Sequence, residues 1–268
     1  MKKILALSII AMIFVACESQ DTITGPKDNT LNLFGTKSGD DFSVAINEDL
    51  TVWGWGSNHN GILGKSEEEL TASNEPVRIW GLENVAELAA GSRHAVAIKE
   101  NGLVYSWGAN DKGQLGLGYV YNYNSSPSRV DIKESVRYIT SGNDFNIAVT
   151  TSGKVYSWGN NAYNCQGHDQ LLICHTPVLS LYLTDLKKIV INNYSCMAMD
   201  NNGNVWTWGN NTNNRLGREY EPFSGTGAKP AINERLGKVA DIGFDRNFYV
   251  IGGNGKRTDI IEQGEPTM

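Results

Sequence analysis

Along most of the chain, apolar and polar residues alternate in bursts of five or six, and each burst ends in glycine, asparagine or proline. Residues 94–99 read HAVAIK and residues 103–107 read LVYSW. Both are rich in β-branched or aromatic side chains, so both predict short strands. Asn101-Gly102 between them predicts a tight hairpin, because both residue types tolerate positive φ. Ser152-Gly153 and Asn202-Gly203 stand at the same place in later copies, whereas the first copy has Asp49-Leu50, which predicts a different turn there.

The bursts repeat as a set. Trp55, Trp107, Trp158 and Trp208, each followed by glycine, are spaced by 52, 51 and 50 residues. The segments starting at 33, 85, 136, 186 and 239 keep the same beat, as do Pro26, Pro76, Pro127, Pro177 and Pro230. A period near fifty residues is the mark of an array whose units bury their faces on one another. Each unit predicts four strands, as at 85–90, 94–99, 103–107 and, after the proline, a fourth like 77–80. In the third strand Tyr105 and Trp107 share one face and Val104 and Ser106 the other. The cognates of Ser106 are Gly54, Ser157 and Thr207. Large aromatics on one face and small residues on the other suit sheets stacked face to face.

Asparagine follows each tryptophan by three residues (Asn58, Asn110, Asn161, Asn211), and Gly61, Gly113, Asn164 and Asn214 follow by six. Gly64, Gly116, Gly167 and Gly217 close the segment. These residue types enter left-handed conformations cheaply, so the stretch reads as a structural turn without chemistry of its own.

Gly91, His94, Gly102, the Val-Tyr-Ser-Trp-Gly run at 104–108 and Gly113-Gln114-Leu115-Gly116 together resemble the regulator of chromosome condensation repeat. The resemblance covers about 33 to 250 and implies an all-β chain, a β-propeller with four-stranded blades. The family's usual ring has seven blades. This sequence holds four complete repeats and a partial fifth, whose residues 239–251 lead into Gly252-Gly253-Asn254-Gly255 without a Trp-Gly. The ring is therefore either open or closed as five blades, with 25–31 as the missing outer strand. An open arc predicts a homo-oligomer or a partner blade.

The N-terminus adds an address. Lys2 and Lys3 precede an uncharged, mostly apolar run, 4–16, too short to span a membrane at the ~20 residues a helix requires. Its end, Phe14-Val15-Ala16-Cys17, resembles the lipobox of bacterial lipoproteins, although Phe14 replaces the usual leucine. That implies a signal peptide at 1–16, a lipidated Cys17 and tether at 17–30, and a propeller domain at 31–268, anchored through lipid to a membrane of the bacterial cell envelope, periplasmic or surface-exposed. An ordinary secretory signal cleaved elsewhere is the alternative. The formal charge of −6 and pI near 5.3, without a Lys/Arg-rich run, exclude nucleic acid as an expected partner. The chromatin-linked nucleotide-exchange activity of the founding family member is not expected in an exported protein.

Candidate chemistry is sparse. Loops between the turn glycine and the next proline differ from copy to copy, and these are the candidate binding loops: Tyr119, Tyr121 and Tyr123, then Leu171 and Leu172, then Tyr220 and Phe223. Alternating tyrosines resemble adaptable recognition loops, or else extend a strand onto a neighbouring blade. Cys165 and Cys174 are expected as a disulfide in an oxidising compartment, with unlinked thiols or a metal pair with His168 and His175 as alternatives. Cys196 and His94 read as packing residues, since Phe42 and Phe145 replace His94 in other copies. Asp40 and Asp41 read as turn formers and Glu67-Glu68-Glu69 as a solvated loop. No catalytic residue, metal or cofactor is expected. The function expected is a non-catalytic binding scaffold for an unidentified protein partner. The rivals are an enzyme inhibitor, as in a secreted β-lactamase inhibitor of similar propeller type, a hydrolase-associated module, or a self-assembling envelope subunit.

Overall fold

Each burst of alternation becomes a strand, and every hairpin between consecutive strands is antiparallel. The structure, a computed structural model, describes residues 31–119, 121–168, 172–218 and 227–260, all inside the unit Leu31–Met268. Blade 1 comprises β1 (Leu33–Ser38), β2 (Phe42–Asn47), β3 (Val52–Ser57) and β4 (Ala72–Ile79). Blade 2 follows as β5 (Val85–Ala90), β6 (His94–Lys99), β7 (Val104–Ala109) and β8 (Tyr123–Arg129). In blade 3 the strands are β9 (Val136–Ser141), β10 (Phe145–Thr150), β11 (Lys154–Asn160) and β12 (Ile173–Thr184). Blade 4 is β13 (Leu186–Asn192), β14 (Ser195–Asp200), β15 (Val205–Asn210) and β16 (Gly227–Ile232). Blade 5 has three strands, β17 (Asp241–Phe244), β18 (Phe248–Ile251) and β19 (Arg257–Asp259).

The four prolines lie inside the outer strands instead of opening them. The register breaks around each one: Gly54 faces Val77 while Gly56 faces Ser73, and the same break spans Pro127, Pro177 and Pro230. An outer strand has one free edge, so a missing N–H at a break in the ladder costs nothing. The first hairpin also departs from expectation. Leu50 occupies the position of Gly102, Gly153 and Gly203 in the same left-handed conformation, with φ 60° against 79°, 87° and 81°. The turn is common to all copies because its tip tethers the next blade. Val85 N–H donates to Leu50 O at 3.0 Å, as Val136 N–H does to Gly102 O at 3.0 Å.

Stacked blade faces form the core. Trp107 packs with Phe42, Val44, Ile62 and Leu63 of blade 1, Trp158 with Val96 and Val104 of blade 2, and Trp208 with Phe145, Ile147 and Cys165 of blade 3. These three indoles are fully buried. Inner strands adjoin in the order β1, β5, β9, β13, β17, and among the described residues no comparable packing joins β17 to β1. β1 is exposed over nearly its whole length, and Trp55 is only half-buried. The described blades form an arc.

Candidate functional site: turns, seams and the loop rim

Every turn after the third strand is wired alike. The asparagine three residues past tryptophan accepts one backbone N–H and donates across the loop. Asn110 Oδ1 receives Leu115 N–H at 3.1 Å while Asn110 Nδ2 donates to Tyr119 O at 3.0 Å. Asn58 receives Leu63 N–H at 2.7 Å, Asn161 receives Gln166 N–H at 3.0 Å and Asn211 receives Leu216 N–H at 3.1 Å. Gly61, Gly113, Asn164 and Asn214 all have positive φ, as expected. Gly116 closes its turn directly beneath the next blade: a Cβ there would lie 2.7 Å from Trp158 Cδ1.

A hydrogen bond locks each seam. Trp107 Nε1 donates to Ile62 O at 2.7 Å, Trp158 Nε1 to Gln114 O at 3.1 Å and Trp208 Nε1 to Cys165 O at 2.9 Å. Each acceptor lies seven residues after the preceding repeat tryptophan. His94 belongs to the second seam. Asn146 donates Nδ2 to Gln114 O at 2.8 Å, so its Oδ1 faces His94 Nε2 at 2.9 Å and also accepts Ser141 Oγ at 2.6 Å. His94 is therefore the Nε2–H tautomer, and its buried Nδ1 has no partner. Burial holds its pKa below the ordinary histidine value, despite the Asn146 bond. His94 is a neutral strut.

Cys165 and Cys174 are not joined by a disulfide. Cys165 sits in the turn with its Sγ toward Asn160 O at 3.1 Å, while Cys174 in β12 faces His168 Nε2 at 3.9 Å. Burial raises both thiols, Cys165 well above the usual range and Cys174 to about 11. His168 Nε2 lies 2.9 Å from Gln166 Oε1, and His175 packs on Gly113. Among the described residues no group of three or more His, Cys, Asp or Glu side chains is placed to hold a metal ion. Glu67 is more than a solvated loop residue, since its Oε1 accepts Asn60 N–H at 2.5 Å. Asp40 borders a hollow of about 180 Å³ with Ser92, Asn143 and Asn193 at the inner-strand ends.

The loop after Gly116 is the candidate rim. Gly118 N–H donates to His175 O of blade 3 at 2.8 Å. Beyond that anchor Tyr119, Tyr121 and Tyr123 are 36%, 70% and 43% exposed. Tyr119 and Tyr121 meet edge to face at 5.3 Å, and Asn124 Nδ2 reaches Tyr119 Oη at 3.3 Å. Leu172, 76% exposed, opens the outer strand of blade 3. Cys17, Leu171, Tyr220 and Phe223 lie outside the described residues. Exposed apolar residues not anticipated from sequence are Leu179, Leu181 and Tyr182 of β12 and Ile232 of β16, with Lys229 Nζ 6.0 Å from the Tyr182 ring. The signal was there, since 173–184 carries no charged residue while β4, β8 and β16 each carry a lysine or arginine.

A four-blade array with a partial fifth blade, locked by repeat tryptophans, defines a β-propeller repeat scaffold. Two models of the regulator of chromosome condensation (RCC1) repeat match the chain, one at residues 51–98 and 101–149, the other at 85–114, 136–165 and 186–215. Together they cover more than half of it. The chain belongs to that repeat family. Among curated proteins it is 30% identical over 161 residues to the human probable E3 ubiquitin-protein ligase HERC3, covering 57% of this chain and 15% of that one. Protein pim1 of Schizosaccharomyces pombe is 33% identical over 147 residues, covering 48% and 27%. Human WBSCR16 superposes with a TM-score of 0.71 at 23% identity, over 84% of this chain and 60% of that structure, which carries the fold alone.

The chain spans less than a third of the curated relatives it matches. In the two ubiquitin ligases and the Nek9 kinase the shared part is 14–15% of the protein. The relatives also correct the localisation inferred from Cys17. They come from human, mouse, zebrafish, Arabidopsis thaliana and fission yeast, and none is named as a lipoprotein. A lipid-anchored placement in a bacterial envelope is therefore overturned. Among the described residues no helix is long and apolar enough to cross a membrane.

Proposed function

We propose that the chain is a non-catalytic propeller scaffold that binds a protein partner through the loop rim, with Tyr119, Tyr121, Tyr123 and Leu172 as the contact residues. One observation carries this reading. The seam tryptophans of blades 2–4 are buried, whereas these three tyrosines stand exposed on a loop pinned at both ends. Tyrosine offers large contact area with little side-chain entropy to lose, which is why it dominates such surfaces. A photo-crosslinking amino acid at position 121 tests it, with the same probe at Lys133, which is exposed and far along the blade, as the control. Discrete partner bands from 121, absent with Tyr119→Ser and Tyr123→Ser in the same chain, are expected. Equal capture from both positions, or capture that survives those substitutions, refutes the rim as the contact.

A further inference from the structure

Every seam between blades has the same polarity. A tryptophan on the trailing face of one blade enters the leading face of the blade before it, and its indole N–H meets a turn carbonyl there. Blade 1 carries the tryptophan too, and among the described residues no blade packs on that face. Trp55 is half-buried, and no described group accepts its N–H. Trp53, two residues away, shares its face. Arg78, cross-strand partner of Trp53, lies 4.3 Å above the Trp80 ring, which is 63% exposed. Arg78 Nε is buried without a partner, while its Nη2 pairs loosely with Glu83 at 3.9 Å and its charge also acts on Asp49. This is a seam face with an aromatic platform and two unfilled donors, Trp55 Nε1 and Arg78 Nε.

The other end of the arc shows the complementary face. Ile242, Phe248, Val250 and Ile260 of blade 5 turn inward onto Met197, Met199 and Val205 of blade 4. Alternation therefore turns Tyr249 and Ile251 outward, and both are half-buried. Arg257 lies 3.9 Å over the Tyr249 ring and bonds Asp245 at 2.7 Å and Asp259 at 2.6 Å. Two carboxylates therefore stand on this face beside a ring, and the blade 1 face offers a guanidinium with an unfilled N–H beside rings of its own.

We infer that the chain associates head to tail: the outward face of blade 5 in one copy seats on the Trp53–Trp55–Arg78 face of blade 1 in a second copy. The contact continues the seam already repeated inside the molecule, keeps its polarity, and brings Arg78 toward the Asp245–Asp259 pair. Such a contact joins two different faces, so each copy keeps one free end and growth does not stop at two.

Polarity makes the test decisive. Trp55→Lys blocks the trailing face of blade 1 and Tyr249→Lys the leading face of blade 5, each placing an unmatched charge in the contact. Sedimentation velocity on the full chain follows association with concentration, and circular dichroism melts establish that each variant is folded. Wild type is expected to grow past dimer as concentration rises. Each variant alone is expected to lose growth, while an equimolar mixture of the two recovers a species of two chains and no more. A wild-type chain that stays monomeric at every concentration overturns the inference. So does a dimer abolished by one variant and not recovered in the mixture, which is the signature of a symmetric contact. If a lysine variant fails to fold, Trp55→Gln and Tyr249→Gln replace it, with the same outcomes decisive. Substituting Tyr119, Tyr121 and Tyr123 leaves this association intact, so failure here is distinct from failure of the loop-rim reading.

Discussion

Replacing each repeat tryptophan by phenylalanine asks the same chemical question at four places with four different answers. At Trp107 the ring is fully buried and its N–H is, among the described residues, the one donor to Ile62 O. Trp107→Phe removes roughly 40 Å³ of packed side chain, about 1 kcal/mol at ~24 cal/mol per Å³ of cavity. It also strands a buried carbonyl, which adds about 1–3 kcal/mol. At Trp158 the cavity is similar, but Gln114 O keeps its bond from Asn146 Nδ2 at 2.8 Å. The carbonyl stays satisfied, so Trp158→Phe is expected to cost only about 1–1.5 kcal/mol. Trp208→Phe falls between these, since Cys165 O retains only the weak Cys196 Sγ donor at 3.4 Å. Trp55 is half-exposed with no acceptor, and Trp55→Phe is expected within about 0.5 kcal/mol of wild type.

Urea unfolding reads the series directly. An m-value of about 2–3 kcal/mol per molar converts the Trp107 loss into a midpoint lowered by roughly 1 M, and the Trp55 change into one close to the limit of detection. The measurement belongs at low protein concentration, where blade 1 is uncovered. A Trp55→Phe cost equal to that of Trp107→Phe would mean that blade 1 is already covered within one chain, and both the open arc and the head-to-tail contact would fall. Equal costs at Trp107 and Trp158 would sink the assignment of a second donor to Gln114 O.

Two further outcomes follow from single residues. His94 is held neutral in the fold with its pKa lowered, and it titrates near 6.5 when unfolded. Below that value the unfolded state binds the extra proton, so stability present above pH 6.5 is lost as pH falls, with a slope approaching about 1.4 kcal/mol per pH unit. His94→Phe should flatten that part of the pH–stability curve, and an unchanged slope would remove His94 as its source. At the first hairpin, Leu50 bears left-handed strain of about 1–2 kcal/mol and half-buried packing of similar size. Leu50→Gly should therefore leave the melting midpoint nearly unchanged. Gly102→Leu should lower it sharply, because a Cβ at Gly102 meets Ser135 Cβ at 2.6 Å; comparable effects of the two would refute the strain argument.

What could be read from sequence follows from what the period encodes. The strands at 85–90 and 94–99 emerge as β5 and β6 residue for residue; Gly102, Gly153 and Gly203 and the positions six past each tryptophan take positive φ, whereas Asn101, Asn202 and the asparagines three past tryptophan do not. Fixed spacing reports fixed local geometry. Curvature is different: it arises where Trp107 meets Ile62, across a seam that no single repeat contains. Leu50 departs from what its residue type implies, with φ 60° where a bulky side chain would avoid it. The tether from its carbonyl to Val85 imposes the conformation whichever side chain is present. The cysteines failed for a related reason. Cys165 and Cys174 are close in sequence, but one is claimed by the turn and the other by the ladder opposite Gly159. Leu179 and Leu181 do not stand out within their strand's sequence, because an outer strand's exposed and buried apolar residues look alike until the partner strand is placed.

The seam wiring also bears on how a loop at the rim recognises anything. Binding through a loose loop loses free energy to the ordering of that loop, and prior anchoring reduces the loss. Tyr119 is anchored from behind by Asn110, whose side chain is held in turn by Leu115 N–H. Gly118 is anchored sideways to His175 of the next blade. The tyrosine loop therefore inherits its position from two blades at once. Anything that loosens the seam between blades 2 and 3 moves the loop as well. Trp158→Phe should weaken partner capture more than its small stability cost implies, whereas Trp107→Phe, one seam away, should weaken capture less for a larger stability cost. A capture ranking that simply tracks stability would show that the loop binds without this preorganisation.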